Sequence, residues 1–167
     1  EGPDADAGGD ARALHGGGWT GLHCEGAPLR ALFGLLLWDA IYDASVAGAW
    51  LSRWQRAPLD LHTPHFYAAR RATIDRLLAE LAALAPRALA ARVADQYEAH
   101  FGARCAFVRW DGGGVALGFA QAVAACFGGA RLAAVLRNFA HGNAWGGLPD
   151  LLLLQARPPR DGRGGGG

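Results

Sequence analysis

The stretch Gly146-Gly147-Leu148-Pro149-Asp150-Leu151-Leu152-Leu153-Leu154 decides what kind of fold this chain can have. Its glycines and proline make a turn, and Asp150 then leads directly into an apolar run. A short apolar run bounded by turn residues is typical of a buried β-strand. Because a strand needs partners for its backbone hydrogen-bonding groups, the stretch predicts a sheet.

Helical patterns dominate the sequence that precedes this strand. Apolar residues at helical spacing, with prolines tolerated in first turns, predict five helices. These helices cover residues 28–43, a segment from Pro64 after a Thr63 cap, a segment from Pro86 to a Gly102 cap, residues 115–126 and residues 130–141. The segment 105–110 carries the one further, weak strand signal. The predicted class is therefore α/β, mostly helical, with an incomplete sheet.

Both ends of the chain have a low-complexity composition. Residues 1–18 are rich in glycine, alanine and aspartate and are predicted to be a disordered linker. Residues 156–167 consist mainly of arginine, proline and glycine and are predicted to be a low-complexity tail. One folded domain is therefore expected at residues 19–155, a length that suffices for a single hydrophobic core.

The basic side chains are all arginine, 16 in number, against 15 acids, and the formal net charge is +1. The absence of lysine excludes any mechanism that needs an ammonium group from this chain, such as a phosphate-loop or Schiff-base lysine. An arginine-only balance weakly favours phosphate contacts. A cluster of arginines could form a phosphate-facing patch or a solvated helix face. Its members are Arg53, Arg56, Arg70, Arg71 and Arg76.

The remaining composition argues against zinc, disulfides and a membrane. Cys24, Cys105 and Cys126 are widely scattered, which suggests free thiols in a reducing compartment. His62 and His65 are separated by a proline and make a poor metal pair. The longest apolar run, residues 31–38, is far shorter than a membrane span. We therefore expect a soluble, intracellular protein.

Two carboxylates are the candidates for metal-dependent chemistry. Glu25 lies just before the apolar helix, and Asp150 opens the apolar run, so both would be held at the edge of a core. A magnesium ion needs several oxygen ligands aimed at one point, which such carboxylates can supply. Simpler roles remain open, since Glu25 could be an acid favoured by the helix dipole and Asp150 an ordinary turn residue.

Five sequence blocks, in order, resemble the C-terminal nuclease domain of the Fanconi-associated nuclease family. They are His23-Cys24-Glu25-Gly26, residues 34–41, residues 57–61 with Phe66, Tyr67 and Arg70, Val108-Arg109-Trp110-Asp111, and residues 146–151. The similarity extends over residues 19–155, and several blocks in the same order are more specific than any single short motif.

The resemblance implies a VRR-NUC domain with the restriction-endonuclease-like fold of the PD-(D/E)XK superfamily. It implies hydrolysis of phosphodiester bonds with Mg²⁺ or Mn²⁺ in branched or flapped DNA, as a 5′ flap endonuclease and 5′ exonuclease of interstrand crosslink repair. Glu25 matches the first family motif and Asp150 the second, so both are expected to be catalytic metal ligands. A nuclear location in a eukaryote, a cytoplasmic one in a bacterium, and contact with a ubiquitinated repair complex through upstream domains are also implied.

The third family motif, Glu-x-Lys on the next strand, does not occur in these 167 residues. Two carboxylates alone specify a cation site poorly, and removing a positioned acid or base typically costs about 10²- to 10⁴-fold in rate. We therefore expect this chain alone to be nearly inactive, whether through truncation, a gene-model error or true loss. The alternative function is a catalytically inactive helical module that binds DNA or a repair partner.

Overall fold

The computed structural model describes residues 13–16, 19–111, 114–143 and 146–155. The predicted tail, and residues 1–12 and 17–18 of the predicted linker, lie outside the described residues. The described part contains three strands and six helices. In chain order they are β1 (Ala13–Gly16), β2 (Trp19–His23), α1 (Ala27–Leu36), α2 (Trp38–Ile41), α3 (Pro64–Ala82), α4 (Pro86–Ala99), α5 (Leu117–Phe127), α6 (Gly129–Ala140) and β3 (Leu151–Gln155).

The strands form one antiparallel sheet in the order β1-β2-β3. In the central strand β2, Trp19 pairs with Gln155 and His23 with Leu151. The structure confirms the strand after Asp150 and corrects the other strand predictions. The segment 105–110 is not a strand, whereas β2 and β1 are, although β1 falls inside the predicted linker. Both strands are short and lack a clear alternating pattern, and β2 is completed by the distant strand β3.

The prediction that β3 is a fully buried strand is wrong. Its exposure alternates along the strand, with Leu151 at 44% and Leu153 at 51%. Leu152 and Leu154 point the other way and pack against the hydrophobic core. Only one face of the sheet is covered by the described helices, which is the ordinary arrangement for an antiparallel sheet.

Helix α1 lies at the centre of the core. It packs against α4, α5 and α6, and almost every residue in it is buried. The ring of Phe33 contacts the rings of Phe66, Phe107 and Phe139, with centroids 5.5 to 6.3 Å apart. The single helix predicted over residues 28–43 is instead broken at Leu37, whose φ of −111° is not helical. Its nearly uniform apolar content gave no sign of the break.

The other helices pair as α3 with α6 and α4 with α5 on the flanks of α1. The predicted starts at Pro64 and Pro86 are confirmed, although α4 ends at Ala99, before the Gly102 cap that the sequence predicted. Within the described ranges, no single helix has the length and hydropathy of a membrane span. Helices α5 and α6 meet those criteria only as a pair, and they are bent by 107° to each other.

Arg70 is buried rather than part of a surface patch or a solvated face. Its guanidinium donates hydrogen bonds of 2.7 and 3.2 Å to the carboxylate of Asp60, which lies in the loop before α3. Arg71 and Arg76 do lie on an exposed face of α3, where they form ion pairs with Asp75 and Glu80. The arginines that sequence reasoning grouped together are therefore divided between the core and the surface.

Candidate functional site

Pairing of β2 with β3 brings Glu25 and Asp150 together. Just beyond the last strand pair, the backbone N–H of Cys24 donates a 2.7 Å hydrogen bond to the carbonyl oxygen of Asp150. The N–H of Glu25 lies 3.4 Å from the same oxygen. The two acids singled out in the sequence are thus neighbours at one end of the sheet, although most of the chain separates them. Both side chains are exposed.

A tight left-handed turn carries the chain from β2 into α1. Glu25 has a φ of 43° and Gly26 a φ of 75°. Among the described residues, Glu25 is the one non-glycine with a positive φ. Such a conformation costs roughly 1 kcal/mol or more and is typical of functional sites. The turn places Glu25 just before the N-cap of α1, Gly26, in agreement with its predicted position ahead of the apolar helix.

Gly26 is required by space as well as by conformation. A Cβ atom at this position would lie 2.5 Å from the Cβ of Leu148, which belongs to the turn before Asp150. The Gly26 carbonyl oxygen also accepts 3.1 Å hydrogen bonds from the N–H groups of Leu29 and Arg30, which starts the helix. The close approach of Gly26 and Leu148 therefore holds the two acid-bearing turns against each other.

The pKa of the Cys24 thiol is affected by the nearby carboxylate of Asp150. Burial raises the pKa of Cys24, a hydrogen bond from the Gly26 backbone partly opposes this rise, and the negative charge of Asp150 adds to it. The thiol therefore stays protonated near neutral pH, when it is a poor nucleophile. Cys24 is therefore a poor candidate for a nucleophile in this site.

Glu25 and Asp150 are of the ligand type that divalent cations prefer. Carboxylate oxygens are the ligands that Mg²⁺ and Mn²⁺ prefer, and both side chains are open to solvent. Within the described ranges, however, no group of three or more histidines, cysteines or acids could hold a metal ion. His62 and His65 are part of no such group either. Glu25 and Asp150 are therefore suitable ligands but fewer than a closed site requires.

His141, which precedes the turn to Asp150, belongs to the packing of α3 on α6. Its ring lies against that of Tyr67, with centroids 3.9 Å apart. The Tyr67 hydroxyl donates to the carboxylate of Asp75, which also accepts a 2.7 Å hydrogen bond from Arg137. The Arg137 and Tyr67 hydrogen bonds lower the pKa of Asp75. These groups have structural partners away from the two candidate ligands.

No protein-family model matches the chain. Over 157 residues it is 40% identical to the Fanconi-associated nuclease 1 homolog of Oryza sativa subsp. japonica, covering 92% of this chain and 15% of that protein. It is 34% identical over 139 residues to Fanconi-associated nuclease 1 of Homo sapiens, covering 82% of this chain and 14% of that protein. The chain is a homologue of part of Fanconi-associated nuclease 1.

The fold agrees with this relationship. The crystal structure of paFAN1 bound to DNA with a 2-nucleotide 5′ flap and a gap superposes with a TM-score of 0.69 and 28% identity, covering 85% of this chain and 25% of that one. A complex of paFAN1 with a 1-nucleotide 5′ flap gives a TM-score of 0.65 and 30% identity, covering 84% of this chain and 25% of that one. The resemblance to the Fanconi-associated nucleases is thereby confirmed, for a chain that spans about 15% of the length of the curated relatives.

Proposed function

We propose that this chain is a segment of a structure-specific DNA nuclease that hydrolyses phosphodiester bonds at 5′ flaps, as an endonuclease and 5′ exonuclease of interstrand crosslink repair. The observation that carries the proposal is the meeting of Glu25 and Asp150 where β2 pairs with β3. Relatives named Fanconi-associated nuclease 1 support it, as does the similarity to paFAN1 bound to flap DNA.

The proposal includes a domain assignment. Residues 19–155 would form a VRR-NUC domain of the PD-(D/E)XK superfamily, with β1 added in front. The small antiparallel sheet packed against helices supports this assignment, because it places one acid before α1 and the other at the start of β3. In a eukaryotic cell the protein would act in the nucleus on branched or flapped DNA. Contact with a ubiquitinated repair complex would fall to upstream domains.

Glu25 and Asp150 would hold Mg²⁺ or Mn²⁺. When bound, such a cation polarises a phosphate oxygen and lowers the pKa of a bound water. The protein itself holds both carboxylates exposed to solvent. A left-handed backbone turn positions Glu25, and the segment through Pro149 positions Asp150. Their exposure leaves room for a bulky DNA substrate. No lysine in this chain can stabilise charge in the transition state, so the rate it supports alone should be low.

Cleavage of a fluorescently labelled 5′-flap duplex by the purified 167-residue chain tests this function. We expect slow cleavage that requires Mg²⁺ or Mn²⁺ and is absent with Ca²⁺ or a chelator. Glu25→Gln and Asp150→Asn should remove it, because each loses one of two ligands. Asp95→Asn and Glu98→Gln, on an exposed face of α4, change the charge equally and should leave the rate unchanged. Cleavage that survives Asp150→Asn would contradict the site.

DNA binding without cleavage is the second candidate function. It is favoured by the lack of any three-ligand group in the described part of the chain and by the absence of lysine. In this case fluorescence anisotropy would show flap DNA binding that weakens steeply as salt rises, with no product under any cation. A chain that neither binds nor cleaves flap DNA would contradict both functions.

A further inference from the structure

An open cavity of about 780 Å³ lies between the segment that precedes α3 and the segment that joins α4 to α5. Three of its lining side chains are arginines, Arg56, Arg104 and Arg109, and one, Asp111, is an acid. Cationic side chains facing one concavity attract an anion, and guanidinium groups match phosphate oxygens in geometry. The cavity has no part in the candidate metal site described above.

Arg56 is fixed at one wall of the cavity from two sides. Its Nε donates a 2.9 Å hydrogen bond to the carbonyl oxygen of Cys105, and its own carbonyl oxygen accepts one of 2.9 Å from the Tyr42 hydroxyl. Burial, with a smaller effect from Cys105, raises the pKa of Tyr42, so its hydroxyl remains a donor. The terminal nitrogens of Arg56 are thus held at a set position by groups that do not neutralise them.

Arg104 is oriented by an exposed tryptophan. Its guanidinium carbon lies 4.7 Å from the ring centroid of Trp54, and Arg53 lies against the same ring at 4.8 Å. Trp54 is 61% exposed, and its carbonyl oxygen also accepts a 3.4 Å hydrogen bond from Arg104. Cation–π contacts order these cations while leaving their charge available. The exposed indole of Trp54 therefore holds two arginines side by side, one of which, Arg104, lines the cavity.

Arg109 is paired with an acid, Asp111, that a phosphate could replace. It forms a 3.1 Å ion pair with Asp111, in which the two side chains are 60% and 64% exposed. Exposed pairs of this kind contribute little to stability, typically below about 1 kcal/mol. An incoming phosphate would therefore compete with Asp111 for Arg109 at small cost.

Helix α1 connects the cavity to the candidate metal site. Gly26 at its start adjoins Glu25, and Gly34 packs against Phe107, whose neighbours Cys105 and Val108 line the cavity. Eight helical residues rise about 12 Å. The contact of Gly34 with Phe107 therefore lies about two helical turns along α1 from the turn that carries Glu25.

We propose that this cavity binds a backbone phosphate of the DNA at a place separate from the two candidate metal ligands. The proposal rests on the proposed function for its ligand. Arg104 and Arg109 contact the phosphate, Arg56 supplies charge from the wall, and Trp54 is a positioning residue for Arg104. Such contacts fix the register of DNA without reading its sequence.

Anisotropy titrations of a flap duplex with the full chain, in Ca²⁺ and at several salt concentrations, test the subsite. We expect Arg104→Ala and Arg109→Ala each to weaken binding about 5- to 10-fold and to reduce the salt slope by about 1. Arg87→Ala and Arg131→Ala remove an equal charge from exposed positions on α4 and α6 and should change binding less than about 2-fold. Asp111→Asn should tighten binding, because it removes the competing carboxylate.

Equal effects for the cavity and control arginines would overturn the subsite, while flap cleavage by the wild-type chain would leave the proposed function intact. Conversely, a selective loss in Arg104→Ala without any metal-dependent cleavage would support the subsite and contradict the nuclease. Titration with inorganic phosphate and with dAMP, followed by tryptophan fluorescence, separates the ligand sources. Micromolar binding of dAMP that displaces DNA would overturn a backbone subsite in favour of a nucleotide site, and millimolar binding would support it.

Discussion

Asp60 and Arg70 form a bidentate ion pair in which the side chain of Arg70 is 0% exposed and that of Asp60 is 12% exposed. The guanidinium also lies over the ring of Phe66, 4.5 Å from its centroid, and its Nε has no hydrogen-bond partner among the described residues. The pair fastens the loop after α2 to the first half of α3. Asp60 is thus the carboxylate that makes burial of this cation tolerable.

We expect Asp60→Asn to destabilise the chain by about 3–5 kcal/mol, because it leaves the buried guanidinium without its counter-charge. The free energy of unfolding in urea measures the effect. Glu80→Gln is the matched control, since it breaks the Arg76 ion pair, whose side chains are 56% and 43% exposed. That change should cost less than about 1 kcal/mol. A loss for Asp60→Asn as small as that expected for Glu80→Gln would show that the buried ion pair stabilises the fold no more than an exposed one.

Gly26→Ala should destabilise the fold by about 1–3 kcal/mol, because it adds a Cβ against Leu148 at a left-handed φ. Gly118→Ala is the control. This exposed position in α5 has no atom within 4 Å of an added Cβ, and we expect stabilisation of about 0.4–1 kcal/mol. The double variant Gly26→Ala with Leu148→Ala should not recover fully, because alanine at position 148 keeps the close Cβ atom and the backbone strain persists. If Gly26→Ala unfolds at as high a temperature as Gly118→Ala, the close approach of Gly26 to Leu148 would be contradicted.

Asp150→Asn should make Cys24 more reactive. Burial is the main cause of the raised pKa of Cys24, but the Asp150 carboxylate contributes to it, so removing that charge lowers the pKa. The measurement is the rate of alkylation by iodoacetamide near neutral pH, in a Cys126→Ser background that leaves buried Cys105 and Cys24. Asp95→Asn should have no effect. Added Mn²⁺ should accelerate alkylation of the wild type and not of Asp150→Asn, if the cation binds at this carboxylate.

The stability of the chain should fall as pH drops below about 6.5, the ordinary pKa of histidine. Burial lowers the pKa of His100, which stacks on Trp38 at a centroid distance of 4.0 Å, while Asp39 opposes the shift. The unfolded chain therefore takes up this proton first, and the loss levels off below the folded pKa. The measurement is the urea concentration at the unfolding midpoint as a function of pH. His100→Phe should remove the fall in this midpoint that His100 causes, and Asp39→Asn should enlarge it. A pH profile unchanged by His100→Phe would refute the assignment.

The helices were the most predictable part of the fold. Pro64 and Pro86 begin α3 and α4 as expected, because a proline in the first turn and apolar spacing are local signals. The break at Leu37 was not predictable, since an all-apolar helix carries no mark of where it ends. Arg70 was predicted to lie on the surface but is buried, and the sequence near it gives no sign of this. A buried arginine is identified only by the distant acid that neutralises it.

The candidate site was predictable in its residues and not in its construction. Glu25 and Asp150 stand out because each lies at the edge of an apolar segment, and the resemblance supplied the rest. The strand β2 that joins them was missed, because Trp19–His23 has no clear pattern and is stabilised by pairing with Leu151–Gln155. The cavity arginines were missed as a set, since Arg104 and Arg109 converge with Arg56 only through folding of two loops.

Pairing of His23 with Leu151 joins residues that lie 128 positions apart, and we expect it to form late in folding. Contacts within helices and between neighbouring helices close short loops, whereas this pairing closes almost the whole chain and costs more loop entropy. We therefore expect the end of the sheet to open more readily than the helical core. A variant with normal helical circular dichroism can still have lost the proximity of Glu25 to Asp150. Hydrogen exchange at the Cys24 amide, which reports this opening directly, is the proper measure of an intact site.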